Sequence, residues 1–444
     1  MGFIRRKDEY SSGKIRLLTN IGRVFPCVVL LTIGATRTSA QQLTPTWVEV
    51  GEDGKAIARV VIATPGKCPT INLDGTSQQM VERRPTPDGF RPVCEAVIPS
   101  STKSVKVTGQ ALVLPKPNPS NVIAFGDTGC LIKGKELQDC KDPKKWPFEE
   151  VASSAASENP DLMIHVGDYL YRESPCPAGS ELECGDTPEG DNWEAWNSDF
   201  FAPAAKLLAH VPWAFARGNH ESCDRSWRGW FYYLDPRPWN GVCEQYSAPY
   251  VIKLGSFELV MLDTSQVVVD SLDEKQVSAY TAQLSGLYVE NAWLVAHHPF
   301  WGFRSGVKGE AYSPVSAPLQ EAWYRASPKG INLILSGHVH LFELMAFDHG
   351  HPTQVVAGGG GTDLAQPIPV SLDGITVRGS TIIGSQSMRQ FGYTVLEKHG
   401  SSWRLTLKNE RQNELFGCSL FESSHANSTP ERTVHANEPD CGGI

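Results

Sequence analysis

The chain has 444 residues, of which 41% are hydrophobic and 20% are charged. This composition provides for a sizeable core and excludes a wholly disordered chain, and the sequence has no collagen-like or coiled-coil repeat. The net charge of −9 argues against a protein that coats nucleic acid. No apolar run reaches the roughly 20 residues that span a bilayer, so we expect no stable membrane span.

The first 40 residues have the pattern of a signal peptide. Basic residues from Arg5 to Arg23 precede an apolar stretch over 24–35, and the small residues at 38–40 fit a signal-peptidase site. Arg5 and Arg6 also match the start of a twin-arginine signal, although they lie far from the apolar stretch. Removal of residues 1–40 would change the net charge from −9 to −14. We therefore predict an exported protein, either periplasmic or secreted.

The cysteines agree with export. Of the eleven, Cys27 lies in the predicted signal peptide, and an even ten remain, as is typical of disulfides in an oxidising compartment. Pairing of nearest neighbours would give Cys68–Cys94, Cys130–Cys140, Cys176–Cys184, Cys223–Cys243 and Cys418–Cys441, although sequence alone does not fix the connectivity. A zinc cluster is disfavoured because the sequence has no CxxC motif.

Beyond the signal peptide, the chain divides into three regions. Residues 41–115 contain alternating runs such as Trp47–Val50 between turn residues, which predicts a small β-sandwich-like domain. In residues 120–420, short apolar runs alternate with helix-like segments, which predicts an α/β fold with sheets packed against helices. Residues 421–444 are predicted to be a polar C-terminal tail.

Five of the central apolar runs end in a polar cluster. These clusters are Gly126-Asp127-Thr128-Gly129, Gly167-Asp168-Tyr169-Leu170-Tyr171, Gly218-Asn219-His220-Glu221, His297-His298-Pro299 and Gly337-His338-Val339-His340. Ligands of open α/β sheets bind in the crevice at the carboxyl ends of the strands, so we expect the clusters to meet there. Their oxygen and imidazole donors suit iron, zinc or manganese. The five clusters together predict a metal site.

The order GDxG, GDxxY, GNHE, a strand-end histidine and GHxH resembles the calcineurin-like metallophosphoesterases, and most closely the purple acid phosphatases. The resemblance covers roughly Val122 to Gly361. It implies a sandwich of β-sheets flanked by helices, here preceded by the small all-β domain. It also implies a hydrolase of phosphoric ester bonds with a dinuclear metal centre.

The resemblance assigns the metal ligands residue by residue. One metal would be held by Asp127, Asp168, Tyr171 and His340, and the other by Asp168, Asn219, His338 and a strand-end histidine. The first is expected to be Fe³⁺, because the family's tyrosine binds as a phenolate, and the second a divalent Zn²⁺, Fe²⁺ or Mn²⁺. Other calcineurin-like enzymes have Asp-x-His in the first motif, whereas Gly129 stands here, and this exchange accompanies the gain of Tyr171.

The strand-end histidine is either His297 or His298. The family's VxxH pattern, counted from Val295, indicates His298, whereas the following proline and Trp301 indicate His297. Adjacent strand residues face opposite ways, so only one of the two can point at the metals. We predict His297 as the ligand and a supporting or substrate-facing role for His298.

The resemblance implies that Asp168 and His220 take part in catalysis. A metal-bound hydroxide would attack phosphorus, and His220 would contact the phosphate and protonate the leaving group. Alternatively, His220 only hydrogen-bonds a metal-ligating carboxylate. The predicted reaction is phosphate monoester hydrolysis, as in acid phosphatases. A phosphodiesterase or nucleotide hydrolase is the alternative, because the metal motifs do not encode the leaving group.

The expected partner is a small phosphorylated substrate. The acidic mature chain disfavours nucleic acid, and the sequence carries no indication of oligomeric state. A binding protein with a decayed site is disfavoured because every ligand position of the motif set is filled.

Overall fold

Two large β-sheets pack against each other in the computed structural model, which describes residues 44–269, 271–306 and 312–421 together with the backbone of 440–443. The predicted signal peptide, residues 1–40, lies outside the described residues, as does most of the predicted tail, residues 421–444.

Strands make up most of the regular structure. The N-terminal region contains β1 (Thr46–Val50), β2 (Ala56–Val61), β3 (Thr70–Leu73), β4 (Thr76–Gln79), β5 (Val81–Glu82), β6 (Val93–Ile98), β7 (Val105–Val107) and β8 (Gln110–Leu112). The central region contains β9 (Asn121–Phe125), β10 (Ile132–Lys133), β11 (Glu136–Leu137), β12 (Leu162–His165), β13 (Pro212–Phe215), β14 (Tyr250–Leu254), β15 (Phe257–Leu262), β16 (Ala292–Ala296), β17 (Phe303–Arg304), β18 (Ser313–Pro314) and β19 (Ile331–Ser336). The C-terminal region contains β20 (Phe342–Phe347), β21 (Thr353–Ala357), β22 (Thr376–Val377), β23 (Ser380–Met388), β24 (Tyr393–His399), β25 (Ser402–Lys408), β26 (Glu414–Phe421) and β27 (Asp440–Gly443).

The helices are short and lie between strands. They are α1 (Phe148–Ser157), α2 (Glu181–Cys184), α3 (Trp193–Trp196), α4 (Ala205–Leu208), α5 (Trp227–Gly229), α6 (Glu274–Ser285) and α7 (Ala317–Ala326). Single turns of 3₁₀ helix cover Glu52–Gly54 and Asn219–Glu221, and π-helical turns cover Asn197–Phe201 and Trp230–Leu234.

Each large sheet has a parallel centre. The first has eleven strands in the order β27-β26-β25-β24-β9-β12-β13-β1-β2-β6-β5, in which β9, β12, β13 and β1 are parallel. The second has eight strands in the order β14-β15-β16-β19-β21-β20-β23-β22, in which β15, β16, β19 and β21 are parallel. The five polar clusters of the sequence follow the carboxyl ends of β9, β12, β13, β16 and β19.

The core forms three layers because successive side chains of a strand point to opposite faces. Val122 of β9 packs between the two sheets, whereas Ile123 packs on the outer face of the first sheet with residues of α1. On the outer face of the second sheet, Val260 of β15 packs with Tyr280 of α6. Both faces of the central strands are buried, which explains their almost continuous apolar sequences. The predicted α/β class, with sheets flanked by helices, is confirmed.

The N-terminal β region shares a sheet with the rest of the chain. β1, β2, β5 and β6 belong to the eleven-stranded sheet, whereas β3, β4, β7 and β8 form a four-stranded sheet in the order β4-β3-β7-β8. β1 pairs in parallel with β13 through Val48 opposite Pro212 and Glu49 opposite Trp213. The domain limits of 41–115 and 120–420 stay a prediction.

Disulfide bonds cross-link several of the loops. Those among the described side chains are Cys68–Cys94, Cys130–Cys140, Cys176–Cys184 and Cys223–Cys243. These four pairs confirm the nearest-neighbour prediction, and the fifth pair involves Cys441, whose side chain lies outside the described residues. Across 44–421, apart from its two short gaps, no helix has the length and apolar character that crossing a membrane requires.

Candidate metal centre

The aspartates that follow β9 and β12 occupy the left-handed backbone region, with φ of 57° at Asp127 and 60° at Asp168. This conformation is uncommon for residues that carry a side chain, and it is found mainly where surrounding contacts enforce it. Glu221 provides such contacts at the second turn. Its carboxylate accepts hydrogen bonds from the backbone N–H of Asp168 at 3.1 Å and of Tyr169 at 2.9 Å.

The hydroxyl of Tyr171 joins the residues predicted to hold the first metal. Its oxygen lies 3.1 Å from Oδ1 of Asp127, 2.9 Å from Oδ2 of Asp168 and 3.0 Å from Nε2 of His340. The His340 ring is oriented by its Nδ1, which donates to the carbonyl of Asp363 at 2.8 Å. All four side chains thus meet around a single phenolic oxygen.

The residues predicted to hold the second metal meet beside the first group. Oδ1 of Asn219 lies 3.0 Å from Nε2 of His297 and 3.0 Å from Nδ1 of His338. Nε2 of His297 also lies 3.1 Å from Oδ2 of Asp168. Asp168, His297 and His338 each offer a ligand atom, and these atoms all lie within 4.8 Å of one another. Asp168 belongs to both groups, as a bridging ligand would.

The two adjacent histidines lie in different surroundings. Nδ1 of His297 donates to the carbonyl of Val166 at 2.9 Å, so the lone pair of its Nε2 faces Asp168 and Asn219. His298 turns the other way, since its backbone N–H and its Nδ1 lie 3.0 Å and 3.3 Å from Oγ1 of Thr264. The His298 ring packs against His338, with ring centroids 4.1 Å apart. Of the two histidines, His297 lies among the predicted ligands.

The donor set fits a pair of metal ions. Nε2 of His297 carries a lone pair when Nδ1 donates to Val166, yet it faces a carboxylate oxygen and an amide oxygen, which are both acceptors. Electron-pair donors that converge in this way are satisfied by a cation. The mixture of carboxylate, amide, phenol and imidazole suits iron, zinc or manganese.

The carboxylates of the pocket favour positive charge at His297. Burial alone would lower the pKa of His297, but the carboxylates of Asp168 and Asp127 raise it to about 9. Burial, together with the same two carboxylates, raises the pKa of Tyr171 well above its ordinary value. Tyr171 therefore becomes a phenolate only beside a strongly charged cation.

His220 lies beside the bridging aspartate. Its backbone N–H donates to Oδ1 of Asp168 at 2.8 Å, and its Nε2 lies 3.8 Å from Oδ2 of the same residue. The ring packs on Tyr171 with centroids 3.7 Å apart. Burial lowers the pKa of His220 below its ordinary value.

Close backbone approach explains the glycines of two motifs. A Cβ at position 218 would clash with Oδ1 of Asp168, and a Cβ at position 337 would clash with Oδ2 of Asp127. Gly218 and Gly337 therefore let two loops come within contact distance of the aspartates.

Sequence reasoning missed several residues that support the site. Oδ1 of Asp199 accepts from the N–H of Cys130 at 3.1 Å and Oδ2 from the N–H of Tyr171 at 2.8 Å, so this aspartate ties the first two motifs together. Asp199 lies in an aromatic-rich stretch, where nothing in the sequence marks it. Glu221 is part of the GNHE motif, but its contact with the backbone of Asp168 is visible only in three dimensions.

The sequence model of the calcineurin-like phosphoesterase family matches residues 120–342, which is half of the chain. The chain belongs to this family. No curated protein matches the sequence. Membership makes the protein a hydrolase of phosphoric ester bonds, implies a dinuclear metal centre and confirms the resemblance found from the motifs.

Two solved structures share the fold. A purple acid phosphatase, PPD1 from yellow lupin (Lupinus luteus) seeds, is 14% identical, with 85% of this chain and 74% of that chain covered at a TM-score of 0.57. A structure of PhoD is 12% identical, with 90% of this chain and 94% of that chain covered at a TM-score of 0.51. At these identities the likeness concerns the fold.

Proposed function

We propose that the protein is an exported phosphomonoesterase with Fe³⁺ at the Tyr171 side of its metal centre and a divalent Zn²⁺, Fe²⁺ or Mn²⁺ at the Asn219 side. The observation that carries the proposal is the position of the Tyr171 hydroxyl, which lies within hydrogen-bond distance of Asp127, Asp168 and His340. A phenol in that position suits a trivalent ion, because a high positive charge is needed to remove its proton.

The ligand assignment follows the contacts. Asp127, Tyr171 and His340 would hold the first metal, Asn219, His297 and His338 the second, and Asp168 both. When bound, two such cations lower the pKa of a water molecule and offset the negative charge that spreads over the phosphate oxygens.

His220 is the proposed acid. Its Nε2 is on the side of the ring that faces Asp168, where a phosphate held at the metal centre would lie. The proton on this nitrogen would pass to the ester oxygen of the leaving group as the phosphorus–oxygen bond breaks. The backbone contact between His220 and Asp168 keeps the ring at the edge of the site.

The motif pattern supports a monoester substrate, because Tyr171 and Gly129 reproduce the features that distinguish purple acid phosphatases from other members of the family. Small phosphorylated molecules are the proposed substrates, and nucleic acid is not, since the chain carries a net charge of −9. Export is supported by four disulfides among the described residues and by the signal-like sequence at 1–40.

The test is hydrolysis of nitrophenyl phosphate against bis-nitrophenyl phosphate by metal-loaded protein across acidic and neutral pH. We expect the monoester to be preferred, with higher activity at acidic pH. A preference for the diester would replace the proposal with a phosphodiesterase or nucleotide hydrolase. Asp168→Asn should abolish both activities, whereas the matched control Asp74→Asn, in the N-terminal β region, should leave them unchanged.

A further inference from the structure

Arg389 is an exposed arginine whose partners among the described residues are two backbone carbonyls. Its Nε donates to the carbonyl oxygen of Ala365 at 2.9 Å, and its Nη2 donates to the carbonyl oxygen of Leu364 at 3.1 Å. Within the part of the chain that the structure describes, its Nη1 has no hydrogen-bond partner. Carbonyl oxygens are neutral acceptors, so the guanidinium keeps an unbalanced positive charge and the N–H donors of Nη1.

The segment that holds Arg389 is bonded to the proposed ligand His340. Nδ1 of His340 donates to the carbonyl of Asp363 at 2.8 Å, and the N–H of Ala365 donates to the carbonyl of His340 at 3.2 Å. Leu364 stands between these two contacts, and its own carbonyl accepts from Arg389. The guanidinium is therefore held beside the His340 side of the metal centre.

The metal centre reaches solvent on this same side. The His340 side chain is 21% exposed, whereas the side chains of Asp127 and His297 are 0% exposed. The opposite side is the packed core between the two sheets, so a phosphate at the metal centre must keep its leaving group toward solvent. A leaving group that extends past His340 comes near the guanidinium of Arg389.

Four other arginines in or next to the second and third motifs are paired with carboxylates. The pairs are Arg172 with Asp199, Arg217 with Asp263, Arg225 with Glu173 and Arg228 with Asp191. In each pair the carboxylate offsets the positive charge and occupies donors of the guanidinium. Arg389 has no such partner among the described residues, so it differs from these four in being able to bind an anion from solvent.

We propose that Arg389 is a specificity-determining residue that binds a second anionic group, a carboxylate or a phosphate, on the leaving group of the substrate. The inference rests on the proposed function, and it narrows the substrate class to small phosphomonoesters that carry a second anionic group. The phosphate that is cleaved lies at the metal centre, and the second group lies at Arg389. A guanidinium suits this role, since its N–H donors match the paired oxygens of a carboxylate or a phosphate.

Binding of non-hydrolysable phosphonates tests the proposal without turnover. The probes are 3-phosphonopropionate and propylphosphonate, which differ only in a terminal carboxylate in place of a methyl group. In calorimetry, the metal-loaded wild-type protein should bind the carboxylate probe more tightly, and Arg389→Ala should reduce this ratio of affinities by roughly 10-fold, as expected for loss of a hydrogen bond to a charged group. The wild-type ratio should also fall as salt rises, because salt screens an exposed charge.

Turnover distinguishes the two sources of the second anionic group. The carboxylate arm compares 3-phosphoglycerate with glycerol 3-phosphate, and the phosphate arm compares propanediol bisphosphate with propanediol monophosphate. Arg389→Ala should lower kcat/KM for the substrate with the additional anion, relative to its partner, by roughly 10-fold and mainly through KM. A larger loss in the first arm identifies a carboxylate as the preferred group, and a larger loss in the second identifies a phosphate.

Three further variants separate anion binding from support of the loop. Arg389→Gln keeps N–H donors for the carbonyls but not the charge, so it should lose the preference as Arg389→Ala does. Arg389→Lys keeps the charge without the planar pair of donors and should retain part of the preference. Arg378→Ala is the matched control and should leave the affinity ratio unchanged, because Arg378 is an exposed arginine near the other end of β23 and pairs with Glu321. Metal content and thermal midpoint are measured for every variant.

The outcomes are distinct. Equal affinity of the wild-type protein for the two phosphonates, or an unchanged ratio in Arg389→Ala, would overturn the proposal. A loss in Arg389→Ala that Arg389→Gln restores would overturn it too, because the guanidinium would then only support the loop. Loss of the ratio in Arg225→Ala alone would move the anion site to Arg225. Absence of turnover of every phosphoester, with the affinity ratio intact, would overturn the proposed function and not the anion site.

Discussion

Nε2 of His297 lies 3.1 Å from Oδ2 of Asp168, and the two residues follow strands of different sheets. Asp168 follows β12 of the eleven-stranded sheet, and His297 follows β16 of the eight-stranded sheet. The candidate metal centre is therefore formed across the sandwich. Metal binding and the packing of the two sheets should stabilise each other, since metal ions bind the native arrangement and not the unfolded chain.

Because His297 contacts Asp168 and His298 does not, we predict different effects for their replacement. His297→Ala should lower the affinity for the second metal by roughly 10- to 100-fold or more, because it removes a proposed ligand. His298→Ala should retain two metals per chain, because the contacts of His298 are with Thr264 and the ring of His338. Metal content after dialysis, measured by elemental analysis, checks both variants. Loss of metal in His298→Ala alone would reverse the ligand assignment.

Tyr171→Phe tests the identity of the first metal. A phenolate bound to Fe³⁺ absorbs visible light through charge transfer, so the wild-type protein loaded with iron should be coloured and the variant should not. Tyr393→Phe is the control, since this buried tyrosine hydrogen-bonds Glu158 and not the site. A visible band of equal intensity in Tyr171→Phe would show that the tyrosine is not the ligand.

Glu343 should make stability depend on pH. Burial raises the pKa of this carboxyl from 4.5 to about 8, and its one hydrogen-bond donor among the described residues is the N–H of Phe303 at 3.0 Å. Between these two values the native state holds a proton that the unfolded chain lacks. The free energy of unfolding contributed by Glu343 therefore falls as pH rises from about 4.5 toward 8.

Glu343→Gln isolates this contribution, because an amide does not titrate and still offers an oxygen to Phe303. The difference in thermal midpoint, variant minus wild type, should grow in favour of the variant between about pH 5 and about pH 8. A difference that stays constant across that range would mean that Glu343 is ionised in the native protein.

The Cys223–Cys243 disulfide should affect activity as well as stability. Arg217 donates to the carbonyl of Glu221 at 2.8 Å and lies 3.2 Å from Sγ of Cys243, so the disulfide supports the loop that carries His220. Replacing both cysteines with serine should cost about 3 kcal/mol of unfolding free energy and also lower kcat.

The matched control is the Cys68–Cys94 pair, which closes a loop of similar length in the N-terminal β region. Its removal should cost a similar amount of stability with kcat unchanged, as measured by chemical denaturation and steady-state kinetics. Equal kcat values in the two double variants would show that the Cys223–Cys243 disulfide does not contribute to catalysis.

Much of the fold could be predicted from the sequence because its strands are buried on both faces. Runs such as Val122–Phe125 and Trp293–Ala296 are apolar throughout, and glycine and polar residues mark their ends. The order of strands could not be predicted, since an apolar run does not reveal its neighbour. The parallel pairing of β1 with β13, across more than 150 residues of sequence, is the main feature that was missed.

The residues around the site likewise divide into those that could be predicted from the sequence and those that could not. Asp127, Asp168, Asn219 and His338 stand next to glycines at strand ends, where their positions are readable. Asp199 acts through contacts between loops, and the conformation of an irregular loop has no period in the sequence. The choice between His297 and His298 depended on the direction of each side chain. That direction is reversed when a strand ends one residue earlier or later, so the sequence alone does not fix it.

The pairing of β1 with β13 has a practical consequence for anyone who shortens the chain. A fragment cut to the family match would begin at residue 120. It would keep β12 beside β13 but remove β1, which would leave one edge of β13 unpaired beside the buried Trp213. Such an uncovered strand is a template for association with other copies of the fragment. If that fragment is insoluble, the exposed edge of β13 is the expected cause. A shortened chain for expression should therefore begin before Thr46, so that it includes β1.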